Sequence, residues 1–421
     1  MTGSFQRAPR LVHLTTSAIS LDWLLAPQLD AFAQAGFDLT TVSAPGPHVD
    51  AIRDRGHRHV SIPSLSRCMD LRSDQMAWGE LREVFDDLRP DIVHTHNPKP
   101  GVLGRVLARR CRVPIVVNTV HGLFAQPTDS VAKRIAVYGV ERLAAACSDG
   151  ELVQNEEDVE LLRSLGVPSN KVHLLGNGID LERFSPSPVT MRVARARRRS
   201  LGIAPETTVI GMVGRLVWEK GYREFFEAIT ALQDEGRDIA VVVVGPTEPG
   251  KPGAVDQQSI DAMTERGVQF LGSRDDVDAL LSLFDIFVLP SHREGFPRSA
   301  MEASAMGIPV VSTNVRGCRQ VVDHGTTGLL VEPRAPRALT AAIGSLLDDP
   351  DQRAVMGRAA RARALAEFDQ DRVISRTLAV YRSLLDGVGI AQPRPTSDRY
   401  VDSIDLVATA ASKSSAEMAA A

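Results

Sequence analysis

The chain has 421 residues, 43% hydrophobic and 24% charged, with a formal net charge of −4. This composition suits a soluble globular protein of two or three ordinary domains, and the charge gives no reason to expect a nucleic-acid partner. No apolar run approaches the roughly 18 residues that cross a bilayer.

Near the N-terminus, Arg7, Arg10, Asp22 and Asp30 interrupt any signal-peptide core, so the chain is expected in the cytosol. Short apolar runs then alternate with helix-length segments. The first set includes Leu11–Leu14, Leu39–Val42, Ile92–His94 and Ile115–Val117. The second includes Val209–Val213, Ala240–Val244, Val268–Leu271, Ile286–Leu289 and Pro309–Ser312. The alternation predicts parallel sheets with helices on both faces. Two sets of about five strands predict two doubly wound α/β domains. Gly and Pro cluster between Gly176 and Pro188, which sets the predicted domains at 1–185 and 186–367. A last amphipathic helix is predicted within 368–387, able to pack back on the first domain. Residues 388–421 lack core-forming content and are expected to be a disordered tail. The cysteines at 68, 111, 147 and 318 have neither metal-ligand nor redox spacing, so inert thiols are expected.

Ligands of open parallel sheets bind beyond the carboxyl ends of the strands. With two such domains, those ends can face each other across a cleft. The loops after strands therefore carry the candidates. Thr95-His96-Asn97-Pro98-Lys99-Pro100-Gly101 is polar and stiffened by two prolines. It suits an acceptor-side loop with His96, Asn97 and Lys99 as contacts, although a plain β-to-α turn has the same look. Leu103 to Arg112 is predicted as a basic amphipathic helix whose charges are solvated, with lipid headgroups as the alternative. His121 follows a strand and would look across the cleft, and a structural role weighs equally. The five arginines of 191–200 are read as a solvated helix face.

In the second domain, Gly214-Arg215-Leu-Val-Trp-Glu-Lys220-Gly221 follows a strand. Gly214 permits close backbone approach, and Arg215 and Lys220 can clamp a diphosphate. Arg274, also after a strand, is a candidate near the nucleotide base. Asp276-Val-Asp278 is read as acids opening a helix, not as a metal motif, so no metal is expected. Glu294-Gly-Phe-Pro-Arg-Ser-Ala-Met-Glu302 reads as strand end, tight loop and helix. The loop offers N–H groups and the helix its positive end to an anion. Glu302, further along the helix, can accept bonds from two vicinal hydroxyls. Neither G-x-G-x-x-G after a strand nor a P-loop occurs, which argues against a dehydrogenase or an ATPase.

These segments resemble the retaining glycosyltransferases of family 4, which have the GT-B fold of two Rossmann-like domains facing a central cleft. The matching pieces are Gly214-Arg215…Lys220-Gly221, Glu294-Gly-Phe-Pro…Glu302, Gly307-Ile-Pro-Val-Val311, Gly325-Thr-Thr-Gly-Leu-Leu330 and Asn177-Gly-Ile-Asp180…Phe184. His94 to Gly101, Thr119-Val-His-Gly122 and Arg316-Gly-Cys-Arg-Gln320 are similar to a subgroup that builds bacterial cell-surface polysaccharides. One departure is Thr15-Thr-Ser-Ala-Ile-Ser20, where many relatives carry a Gly-Gly loop.

The resemblance implies a metal-independent hexosyltransferase with no cofactor. It would move sugar from a UDP-sugar, or secondarily a GDP-sugar, to a glycan or polyprenyl-diphosphate-linked acceptor, with peripheral contact at the inner membrane surface. Arg215 and Lys220 would neutralise the pyrophosphate, and Glu302 would hold the ribose. Glu294 would hold sugar hydroxyls and His121 would sit by the transferred sugar. The N–H groups of Gly295, Phe296 and Arg298 would face phosphate. The rival readings are a GT-B nucleotide-sugar epimerase and a non-catalytic sugar-nucleotide binder.

Overall fold

The computed structural model describes residues 7–66, 70–96, 98–125, 129–248, 250–251 and 253–396. Asn97 and Cys68 lie outside them. Two compact units divide the chain: Met1–Gly176 with Asp371–Ala421, and Asn177–Gln370. The predicted boundary at 185/186 falls later than this division. Residues after Gly176 join the second unit because Ile179 and Phe184 are buried in its core and Ile179 bridges to Asp369.

The first unit holds seven strands: β1 (Arg10–Ser17), β2 (Asp38–Ala44), β3 (Arg58–Ser61), β4 (Ile92–His96), β5 (Ile115–Val120), β6 (Gly150–Val153) and β7 (Val172–Leu174). All pairs are parallel, in the order β3-β2-β1-β4-β5-β6-β7. Alternate residues face opposite sides. Leu11, Ile92, Ile115 and Val117 share one core with Val373, Ile374, Leu378 and Tyr381 of the last helix, Gln370–Val388. Val12, Leu14, Val93 and Val116 pack on the other face with Leu81, Phe85 and Leu107. The sheet order reverses direction between β1 and β4.

The second unit holds β8 (Thr208–Val213), β9 (Ile239–Val244), β10 (Gln269–Phe270), β11 (Ile286–Leu289), β12 (Val310–Thr313) and β13 (Gly328–Val331). The order is β10-β9-β8-β11-β12-β13, again parallel throughout. Here the reversal lies between β8 and β11.

Three expectations need correction. The basic residues of the helix Lys99–Arg110 are not all solvated, although Arg110 is exposed. Arg105 is fully buried and bonds Glu141 and Glu151 at 2.7 Å each, while Arg109 pairs with Asp149 at 2.8 Å. The arginines of the helix Pro188–Ser200 are not all solvated either: Arg198 reaches Asp285 at 2.8 Å and Arg197 reaches Asp276 at 2.6 Å. Finally, the stretch after the last helix is packed as far as Thr396. Pro393 is buried, Ile390 packs on the first unit's core, and Thr396 N–H donates to the Gln34 carbonyl at 2.8 Å.

Candidate active site

In a doubly wound sheet the crevice forms where the strand order reverses. In the second unit that point brings the loops after β8 and β11 side by side. Gly221 makes the approach close: it has φ +79°, and a Cβ there would lie 2.0 Å from the Pro290 carbonyl oxygen. Only glycine tolerates both demands. Lys220 is thereby held against the end of β11. Its Nζ donates to Glu294 Oε1 at 2.5 Å, and Ser291 Oγ donates to the same oxygen at 2.7 Å. Gly214 lies beside Lys220, and its carbonyl accepts from the Tyr222 hydroxyl at 3.0 Å.

The loop after β12 backs this pair. A Cβ on Gly317 would sit 2.5 Å from the Glu294 carbonyl oxygen, so backbone packs directly on backbone. Cys318, next in the chain, has its thiol pushed up to about 12 by burial and by the Glu294 charge, so it stays neutral. The ring of Phe296 meets Phe368 edge-on, and its carbonyl accepts from Asn177 at 3.2 Å. The helix Arg298–Ala305 then begins after Pro297. Glu302 lies in its second turn, its carboxyl raised above the usual range by burial and drawn back by Arg298 and Arg183. Arg298 Nε is 3.9 Å from Glu302 Oε1.

Lys220, Glu294, Gly214 and the loop Gly295–Pro297 therefore stand at one crevice, with Arg298 and Glu302 on the helix that leaves it. Two candidates stand apart. Arg215 has a side chain 48% exposed and pairs with Glu248 at 2.9 Å rather than joining Lys220. Arg274 is turned to the helix Pro188–Ser200 and bonds Asp276 through two nitrogens at 2.9 Å, sharing that carboxylate with Arg197. The pair Asp276 and Asp278 does open a helix, Val277–Leu281, and its acids answer Arg274, Arg197 and Arg183.

In the first unit, the reversal between β1 and β4 carries a column of histidines. His13 and His94 are register partners, and His96 follows on the same face of β4. His121 follows β5. His96 Nδ1 and His121 Nε2 are 3.0 Å apart, and His96 Nε2 and His13 Nδ1 are 3.2 Å apart. Tyr381 lies 3.2 Å from His13 Nε2 and also bonds His94 Nδ1. Burial holds all four rings well below their usual pKa, His13 at about 3 and His121 at about 4. Lys99 does not belong to a free loop. It opens the helix Lys99–Arg110, and its ammonium pairs with Asp74.

Both halves match known families. Residues 28–183 match the family described as "Glycosyltransferase Family 4", and residues 193–363 match "Glycosyl transferases group 1". Over 317 residues the chain is 31% identical to the UDP-Gal:alpha-D-GlcNAc-diphosphoundecaprenol alpha-1,3-galactosyltransferase of Escherichia coli, spanning 74% of this chain and 81% of that one. The chain belongs to glycosyltransferase family 4.

This glycosyltransferase is also 29% identical to the N,N'-diacetylbacillosaminyl-diphospho-undecaprenol alpha-1,3-N-acetylgalactosaminyltransferase of Campylobacter jejuni, over 90% of this chain and 100% of that one. In structure it is similar to Anabaena HepE solved in complex with UDP, with a TM-score of 0.72 and 20% identity over 90% of this chain and 100% of that one. The fold of the glycosyltransferase is accordingly GT-B. Sequence reading of its site missed Ser291, His13, Tyr381 and Gln154, the last a hydrogen-bond partner of His121. Ser291 flanks residues already singled out, and Gly317 was read only as part of a motif. His13 sits in the apolar run Leu11–Leu14, and this break in the pattern is the one signal that pointed to it.

Proposed function

We propose that this glycosyltransferase moves a sugar from a UDP-sugar to a polyprenyl-diphosphate-linked glycan, with retention, during cell-surface polysaccharide synthesis. The relatives named above support the donor and the acceptor. The observation that carries the chemistry is the Lys220–Glu294 contact at the reversal point of the second sheet. Breaking a sugar–phosphate bond leaves negative charge on the diphosphate and positive charge on the sugar. Lys220 meets the first, aided by the N–H groups of Gly295, Phe296 and Arg298 at the helix start, and Arg215 joins it only by leaving Glu248. Glu294, which already accepts two bonds, holds sugar hydroxyls. Glu302 accepts from the ribose diol. His121, on the first unit, is assigned to the transferred sugar by the family resemblance alone, and His96 bonds it within that unit. These cations do the work of a metal, so turnover in a chelator is expected.

Among the described residues no helix is long and apolar enough to cross a membrane. Peripheral contact fits the helix Val131–Ala145, which exposes Val131, Ile135 and Leu143 at 68%, 68% and 73% beside Lys133 and Arg142. A lipid-linked acceptor would be met at that surface.

The test is a chromatographic assay with UDP- and GDP-sugars, with and without polyprenyl-diphosphate GlcNAc, in EDTA, plus sedimentation with anionic vesicles. Transfer from a UDP-sugar only when acceptor is present supports the reading. Conversion of donor without acceptor would make it an epimerase, and absence of turnover a binder.

A further inference from the structure

We propose that Tyr381, His13 and His96 form a directed hydrogen-bond relay that fixes the tautomer of His121, making them positioning residues for glycosyl transfer. The proposal rests on the reading of His121 as a sugar-side group.

The relay is complete at both nitrogens of three rings. His94 Nε2 meets Thr119 Oγ1 at 2.7 Å, and His94 Nδ1 meets the Tyr381 hydroxyl. That hydroxyl meets His13 Nε2, His13 Nδ1 meets His96 Nε2, and His96 Nδ1 meets His121 Nε2. The Gln154 side chain also hydrogen-bonds His121, and its amide can meet the ring with either its oxygen or its NH2. A neutral imidazole has one N–H and one lone pair. Each bond therefore dictates the sense of the next. When the Gln154 oxygen faces His121, the sense runs from the Thr119 hydroxyl to His94, Tyr381, His13, His96 and His121. His13, His94, His96 and His121 then all carry hydrogen on Nδ1, and no donor or acceptor along the line is wasted. Between rings, a misdirected bond would leave two buried lone pairs or two N–H groups facing each other, and at Tyr381 it would leave the buried O–H without an acceptor, so reversing one member favours reversing them all.

His13, His94 and His96 also have the proximity of a metal triad, with one nitrogen from each within 4.8 Å of the others. Their orientation argues against it. The His94 and His96 rings are stacked, 4.5 Å apart and tilted by 16°, so their in-plane lone pairs run in parallel sheets and do not converge. All six nitrogens already have partners. The helix that supplies Tyr381 is bound to the same core through Phe32 and Phe37, whose rings meet Tyr381 edge-on. A residue near the end of the chain thus sets the proton position on His121.

Tyr381→Phe removes the hydroxyl and keeps the packed ring. The experiment measures kcat, donor KM and the imidazole nitrogen NMR spectrum with 15N-labelled histidine. In the wild type a single His121 tautomer is expected. In the variant, His121 should become a mixture and kcat should fall about tenfold, the loss of roughly one hydrogen bond, with donor KM nearly unchanged. His13→Leu should do the same, and His13→Gln, which keeps a donor and an acceptor, should recover part of it. An unchanged His121 tautomer in a folded Tyr381→Phe protein would overturn the relay. So would stoichiometric binding of Zn2+ or Co2+ to the column. If His121→Ala keeps full turnover while Tyr381→Phe still alters the His121 spectrum, the relay stands and the assignment of His121 to the sugar falls.

Discussion

Lys220 and Glu294 lie 74 residues apart in the chain, yet their side chains meet at 2.5 Å because β8 and β11 are neighbours at the point where the sheet reverses. On the proposed reading, the cation serves the departing diphosphate and the carboxylate serves its sugar. Each tunes the other's availability: a diphosphate entering the crevice competes with Glu294 for the ammonium, and Ser291 remains to hold the carboxylate.

Lys220→Ala should lower kcat at saturating donor by about two to three orders of magnitude, in line with other lost electrostatic donors. Lys220→Arg should recover part of it, because the charge returns with a different geometry. The measurement is turnover under saturating donor, with nucleotide binding followed separately. Equal turnover in Lys220→Ala would remove the leaving-group role.

Gly221→Ala should impair folding and catalysis together. The position needs positive φ, and the new Cβ would meet backbone, not a movable side chain. Strain of this kind costs about 1–3 kcal/mol at one residue. Relief requires the loop carrying Lys220 to withdraw from Pro290. A urea titration should show the loss, and kcat should fall with it. An alanine variant with unchanged stability would show that the crevice is more compliant than its spacing suggests.

The legibility of this chain followed the range of the interactions. Strand-loop-helix punctuation is local, so the loops holding Lys220 and Glu294 and the helix holding Glu302 could be read directly. The short strands β3, β6 and β7 carry too little apolar signal, as Arg58-His-Val-Ser61 shows. Arg105 was misread because helical periodicity reports a charged face but not the acids awaiting it on other elements. The Arg274–Asp276 bond was hidden for a similar reason: position after a strand does not reveal a competing carboxylate. The His13–Tyr381 bond, spanning 368 residues, had no local trace at all.

Arg105 supplies the next test. Burial works against its charge, and the opposing charges of Glu151 and Glu141 more than restore it. Glu151 also accepts from Asn118 at 2.8 Å and from Ser148. Arg105→Ala would strand two carboxylates and should cost about 3–5 kcal/mol. Replacing Arg105, Glu141 and Glu151 together with apolar residues of similar volume should cost far less. Chemical denaturation of both variants distinguishes a structural ion cluster from a surface charge. A negligible loss in Arg105→Ala would mean that the cluster is solvated after all.

The buried histidines predict a specific acid weakness of the first unit. His13, His94, His96 and His121 are held neutral in the folded state, His13 with a pKa near 3 and His121 near 4, while unfolded rings titrate near 6.5. Between these values the unfolded chain binds more protons, so stability falls as pH falls. It should be level above about pH 7 and decline below about 6.5, by up to roughly 1.4 kcal/mol per pH unit for each ring. Glu302 works in the opposite sense, because burial raises its carboxyl and the folded state gains a proton first. It belongs to the second unit and is one group against four. The urea midpoint of the first unit's transition, followed from pH 8 to pH 4.5, should therefore drop steeply with uptake of more than one proton on unfolding. A level midpoint across pH 5 to 6.5 would mean that the histidine column hydrates and charges without unfolding.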